Sequence, residues 1–166
     1  SPAPLDYRRL MVQGRMLYVF SYWGQHLGDR RLVERSDAVA GALQDRFRDD
    51  RHGGWIARIG VDGAPRDGAK DLYAHAFVLF GLARRALATG RAADAADAIA
   101  AGREIAEKFG GNPGCYAEGF AQDFSARTPG HRQNPHMHLL EAELALHAAT
   151  GDAAALARAA RLVGLL

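Results

Sequence analysis

Apolar positions recur with a helical period in three segments that share one ending. Leu10 to Leu27 runs into Gly28-Asp29, Asp71 to Ala88 into Thr89-Gly90, and His136 to Ala149 into Thr150-Gly151-Asp152. Each glycine stands where a helix C-cap would, because the left-handed conformation that closes a helix costs glycine no steric strain. A second helical pattern follows each one, over Arg31 to Phe47, Ala92 to Phe109 and Ala153 to Leu165. The three glycines are spaced by about 61 residues, so the chain reads as a repeat of helix, tight turn, helix. Longer polar loops separate the hairpins. The first holds Arg51-His52-Gly53-Gly54-Trp55 and Val61-Asp62-Gly63, with apolar–polar alternation from Trp55 to Ile59; the second holds Gly110-Gly111 and Thr128-Pro129-Gly130. Their Gly-Gly and Asp-Gly punctuation predicts a short β-hairpin in each loop.

Such a hairpin cannot bury its apolar face alone and must stack on its neighbours. The first helix of each pair is the more apolar and aromatic, as in Met16-Leu17-Tyr18-Val19-Phe20 and Phe77-Val78-Leu79-Phe80, whereas the second is alanine-rich and charged, as from Ala92 to Lys108. A helix apolar on most sides is buried and a one-sided helix lies outside. The pattern therefore predicts an all-α fold of inner helices backed by an outer layer, an α/α toroid or solenoid. A closed toroid takes about six such hairpins. The single domain expected over residues 1–166 holds three at most, about half of an (α/α)6 barrel. With no initiator methionine and a helical pattern that begins almost at once, the chain is expected to be a piece of a longer protein, truncated at both ends.

Composition narrows the picture. An apolar fraction of 48% and a charged fraction of 24% are those of a globular protein. The formal charge of +2 and the scattered basic residues give no nucleic-acid footprint. No apolar run approaches the length needed to span a bilayer. A lone cysteine, Cys115, excludes an internal disulfide framework and fits a reducing cytoplasm; it reads as a packing residue, without a basic partner to activate it.

Candidate chemistry lies on the inner helices. The helical neighbours of Arg15 are Met11, Val12, Tyr18, Val19 and Tyr22, which sets a guanidinium on an apolar face. It is there either to pair structurally or to donate into a polar cavity. Tyr73 and His75 open the second inner helix, where His75 aligns with Leu72, Leu79 and Leu82 and reads either as a satisfied core histidine or as a site residue. In Asn134-Pro135-His136-Met137-His138-Leu139-Leu140-Glu141, Asn134 reads as an N-cap with Pro135 following it. Helical phase puts Asn134, His138 and Glu141 on one face and turns His136 away. Three chemistries fit that face. The His-x-x-Glu spacing could ligate a metal but lacks a second such motif, Glu141 could pair with His138 structurally, or Glu141 or Asn134 could fix an imidazole that moves protons. The repeat favours the last. Tyr73 and Asn134 both lie 17 residues before a capping glycine, and Arg15 and His138 both lie 13 before one, so these polar groups converge on one mouth of the toroid.

The segment Asn134 to Ala142 is similar to a signature of the N-acylglucosamine 2-epimerase superfamily, as are Gly14 to Phe20, His52-Gly53-Gly54-Trp55, and Lys70 to Phe77. Together they cover nearly the whole chain in order and spacing, and the Arg132-to-His138 form looks most like mannose and related aldose–ketose isomerases. The resemblance implies an (α/α)6 barrel binding a mono- or disaccharide in its central pocket. It implies His138 as a catalytic residue, with Arg15, Tyr73, Asn134, His75 and Glu141 on the substrate. The implied chemistry is proton transfer through a cis-enediol, with no metal or other cofactor. An aldose–ketose isomerase of the mannose/fructose type is the leading expectation. A 2-epimerase acting on N-acylglucosamine or a β-1,4-disaccharide such as cellobiose is the runner-up, and a non-catalytic helical-repeat binding module the rival of another class. Two principal acid/base histidines of the family belong to the second half of the barrel, so this segment alone is expected to be inactive. The apolar flank of a half-barrel also suits a homodimer.

Overall fold

The computed structural model describes residues 6–111, 115–130 and 132–164. Three helical hairpins run through it. Helix α1 (Leu10–Leu27) turns into α2 (Arg30–Ala42), which continues as a π-helical turn, Leu43–Phe47; α3 (Leu72–Thr89) turns into α4 (Ala92–Phe109), and α5 (Gln133–Thr150) into α6 (Ala153–Val163). The expected end of the last helix, Leu165, lies outside the described residues. Each turn works as the glycine pattern requires. Gly28, Gly90 and Gly151 adopt φ of 63°, 64° and 73°, and their N–H groups return to the last turn of the preceding helix. Asp29 and Asp152 then cap the partner helices by accepting the N–H of Arg31 and Ala154.

The two layers are those read from the pattern. Helix α3 packs between α1 and α5, with α2, α4 and α6 each backing its own hairpin partner. As the central inner helix α3 is buried on nearly all sides, by Leu72, Ala74, Ala76, Val78, Leu79, Leu82, Ala83 and Ala86. The outer α4 buries one stripe, Ala98, Ala101, Ile105 and Phe109. Contact between α1 and α3 is close enough to need two glycines. A Cβ on Gly14 would lie 2.5 Å from the Phe77 carbonyl oxygen, and one on Gly81 would lie 2.6 Å from that of Gly14. Buried ion pairs tie the layers: Arg85 reaches Asp94 at 3.0 Å and Ser36 at 3.0 Å, and Arg158 grips Glu143 at 2.8 and 2.9 Å. No described helix is long and apolar enough to cross a membrane.

The loops hold the predicted hairpins and add one pairing across the chain. In the first, β2 (Arg58–Gly60) and β3 (Pro65–Asp67) form the predicted hairpin, to which β1 (Tyr7–Arg9) adds a third strand. In the second, β5 (Gly119–Phe120) carries the predicted hairpin, with Phe120 bridging Arg127 and the Thr128 N–H bonding the Gly119 carbonyl at 2.8 Å, and on its other side pairs with β4 (Lys70–Asp71), at the entry to α3. The cause is the unpaired backbone of that entry: the N–H of Leu72 bonds the Glu118 carbonyl at 2.9 Å and brings the strand alongside. The two loops therefore lie over each other, and Gln122 reaches the buried Asp49 at 3.3 Å.

Candidate active site

The first two turns of α3 and α5 and the second turn of α1 bring the predicted residues together. The Arg15 guanidinium donates to the Tyr73 hydroxyl at 2.8 Å, and its carbon stands 4.3 Å from the Phe77 ring centre. From α5 the His138 ring lies 4.7 Å from Phe77 and meets Tyr73 edge-on at 5.2 Å. The pairing left open for Arg15 is thus resolved: its partners are a phenol and an aromatic face, and its side chain is exposed. Phe77 was not among the candidates, though it occupies the same position before Gly90 that Arg15 and His138 occupy before Gly28 and Gly151. Repeat register alone could have found it; an aromatic among apolar neighbours carries no other signal.

One helical turn into α5, His138 Nδ1 sits 2.8 Å from Glu141 Oε2, with the histidine side chain 20% exposed and the carboxylate 49%. A carboxylate accepts, so Nδ1 bears the proton in the neutral ring and Nε2 keeps its lone pair. That tautomer leaves Nε2 with the lone pair a base needs. Glu141 lies on the same side of α5 as Tyr18 and Phe80 lie on α1 and α3, and those two rings stack at 4.5 Å. Among the described residues, no three His, Cys, Asp or Glu side chains converge as a metal site would require.

One prediction is corrected, and one candidate stands apart. Asn134 is not the N-cap: α5 begins at Gln133 with Arg132 at the cap, and Asn134 and Pro135 form its first turn. The earlier start follows from Glu118, which accepts both the backbone N–H and the Nε–H of Arg132 and anchors that residue. Pro135 costs no hydrogen bond there, since first-turn N–H groups have no acceptor within the helix. Exposed Asn134 still sits one turn before His138. His75 does not join the group. It is 1% exposed beneath the first loop, its Nδ1 2.7 Å from the Asp71 carbonyl and its Nε2 accepting the Trp55 N–H at 3.0 Å. Burial lowers its pKa to about 4.

Behind the mouth, Lys70 is fully buried against Asp49, Nζ to Oδ2 at 2.7 Å. Burial pushes the Asp49 carboxyl up, but hydrogen bonds from Lys70 and His52 outweigh it and hold the group well below the usual carboxylate range. Beside this pair the loops leave a shallow cavity of about 630 Å³, lined by Asp49, Arg51, His52, Gln122, Asp123 and Ser125.

The whole chain, residues 1–166, matches the family model of N-acylglucosamine 2-epimerase (GlcNAc 2-epimerase). It is 34% identical over 171 residues to the D-mannose isomerase of Pseudomonas cannabina pv. alisalensis, covering 95% of this chain and 39% of that protein. To the D-mannose isomerase of Thermobifida fusca it is 37% identical over 124 residues, covering 73% of this chain and 30% of that protein. The solved cellobiose 2-epimerase of Spirochaeta thermophila DSM 6192 superposes with a TM-score of 0.90 at 23% identity, over 99% of this chain and 44% of that one. That last likeness is one of fold: the three hairpins form about half of an (α/α)6 barrel. The chain thus spans less than half the length of these relatives, and by its match from end to end it belongs to the N-acylglucosamine 2-epimerase family.

Proposed function

We propose that the protein carrying this chain is a sugar isomerase that interconverts an aldose and a ketose of the mannose/fructose type. The convergence of Arg15, Tyr73 and His138 at one mouth supports this reading, in a chain similar to two D-mannose isomerases. Arg15, Tyr73 and Asn134 supply donors and acceptors for hydroxyl groups, and Phe77 and Tyr73 supply an apolar wall. His138, with Nδ1 held by Glu141, presents Nε2 for ring opening or proton transfer.

In the open-chain aldose a base takes the C2 proton while the C1 carbonyl oxygen gains one, giving the cis-enediol. Loss of the O2 proton and return of a proton to C1 then yield the ketose. The reaction is redox-neutral overall, and its demand on the protein is to hold acid and base in register over two carbons. Incubating the complete protein with mannose in deuterated water and following fructose by NMR tests the reading. Fructose labelled at C1 is expected. Interconversion only of C2 epimers, of N-acylglucosamine or of a β-1,4-disaccharide, would make it an epimerase, and binding without turnover would make it a sugar-binding module.

A further inference from the structure

Two buried histidines that the proposed chemistry leaves aside occupy the same place in successive repeats. His75 contacts the carbonyl four residues before it, Asp71, at 2.7 Å, and the N–H of Trp55, 20 residues before it, at 3.0 Å. His136 contacts the carbonyl of Arg132, again four before, at 3.0 Å, and the N–H of Tyr116, again 20 before, at 3.4 Å. The ring packing repeats as well: Trp55 meets His75 at 68° between ring planes, and Tyr116 meets His136 at 69°. Position for position, two loops of different sequence are thus fastened to two helices in one way.

The geometry points to His75 and His136 as positioning residues: each clamps a loop backbone to the first turn of an inner helix, and so sets where Tyr73, on one helix, and Asn134 and His138, on the other, stand in the mouth. Both contacts are needed for that role. The Nδ1–H satisfies a carbonyl at the helix start, and Nε2 takes a backbone N–H that would otherwise be buried without an acceptor. At His75 this admits only the neutral ring with its proton on Nδ1, since the Trp55 N–H fills the other nitrogen. The fit around it is tight. Gly53 and Gly54 turn with φ of 84° and 66°, and a Cβ on Gly54 would lie 2.8 Å from His75 Nε2. At His136 the Tyr116 carbonyl also approaches Nε2, at 3.1 Å, and Cys115 stands where the first loop has Gly54. In α1 the same register, 15 residues before the capping glycine, holds Gln13. Its amide also carries an N–H donor group and an oxygen acceptor on a neutral side chain, which makes glutamine the conservative replacement.

The inference rests on reading this mouth as the sugar site, and two readouts separate it from that reading. In the complete protein, selective ¹⁵N-histidine labelling is expected to show His75 with its proton on Nδ1; a proton on Nε2 would overturn the clamp. With Trp and Tyr backbone amides labelled, His75→Phe and His136→Phe keep the ring but lose both bonds. They are expected to speed exchange of the Trp55 and Tyr116 amides roughly tenfold or more. Turnover per KM of the sugar should fall about tenfold or more with them, as the site residues shift. His75→Gln and His136→Gln are expected to recover most of both. Phe variants matching wild type while Gln variants fail would show that the rings only pack, and would overturn the proposal. If the complete protein turns over no sugar at all, the tautomer and exchange results still decide the clamp, and only the functional reading falls.

Discussion

The Phe77 ring is in contact with both Arg15 and His138, at 4.3 Å from the guanidinium carbon and 4.7 Å from the imidazole centre. The three come from three helices and one repeat position, so a single aromatic side chain sets the spacing between a guanidinium and an imidazole. Phe77→Leu keeps an apolar residue there but removes the π-face, at a cost of about 1 kcal/mol in folding stability. In the complete protein this substitution is expected to lower kcat/KM for the sugar about tenfold, because the groups it spaces are displaced. Steady-state kinetics measured beside thermal unfolding check it; unchanged kinetics would mean the ring only fills space.

His138 and Glu141 are expected to act unequally. His138→Ala should reduce kcat by roughly a hundredfold or more, the usual contribution of a positioned acid–base group. Glu141→Ala leaves the imidazole in place without its Nδ1 partner and should cost less, about tenfold. Glu141 is half-exposed, so its loss should leave the unfolding midpoint nearly unchanged, whereas His138→Ala also removes a ring packed on Phe77 and Tyr73 and should lower it slightly. A His138→Ala protein with near wild-type kcat would remove that residue from the mechanism.

Lys70→Met tests the buried pair beneath the loops. It strips the Asp49 carboxylate of its closest cation while Asp49 stays buried. Removing one partner of a buried pair costs roughly 3–5 kcal/mol, to be read from denaturant unfolding. The pair also has a pH signature. Because the folded state holds Asp49 below the ordinary carboxylate range, its contribution is present above that range and is lost on acidification. Lys70→Met should flatten that part of the stability profile.

His75 gives a second acid dependence in another window. Its folded pKa of about 4 lies below the ordinary histidine value of 6.5, so between these limits the unfolded chain binds a proton that the folded chain refuses. Stability is therefore full above pH 6.5 and falls as pH drops toward 4, by about 3 kcal/mol in all. The charged groups acting on the ring are Lys70, Glu104 and Arg48. Unfolding free energies of wild type and His75→Gln should lie close above pH 6.5 and separate toward pH 4, as only the wild type loses this stability; a parallel pair of curves would show that His75 is not the titrating group.

Gly14→Ala probes the helix crossing that holds Arg15 and Phe77 in register. The added methyl would press on the Phe77 carbonyl, which is backbone and cannot turn aside. A loss of about 1–3 kcal/mol is expected, with the inner helices forced apart, detectable as a lower unfolding midpoint.

Much of this was legible one residue at a time. Helix C-termini at Gly28, Gly90 and Gly151 and the inner and outer layers follow from local rules, because a left-handed cap needs glycine and an inner helix needs apolar residues on most sides. The grouping of Arg15, Tyr73 and His138 followed from counting along the repeat. Other features were not local. Asn134 carries the side chain of an N-cap, yet Glu118, far back in the preceding loop, anchors Arg132 and starts the helix earlier. The second loop forms its expected hairpin, but nothing local signals that β5 also pairs across the chain with the free backbone at the entry to α3.

His75 marks the division most clearly. Sequence alone determined the hairpin repeat, the two layers and the shared register of the polar residues, because periodicity and caps act within a few residues of themselves. It also placed two histidines, 75 and 138, on inner helices at nearly the same depth. Only the tertiary structure decided which of them meets solvent: a loop whose N–H needed an acceptor closed over His75, whereas the His138 side chain stays 20% exposed among the described residues. Burial and hydrogen-bond satisfaction are properties of what packs opposite, and no period along the chain encodes them.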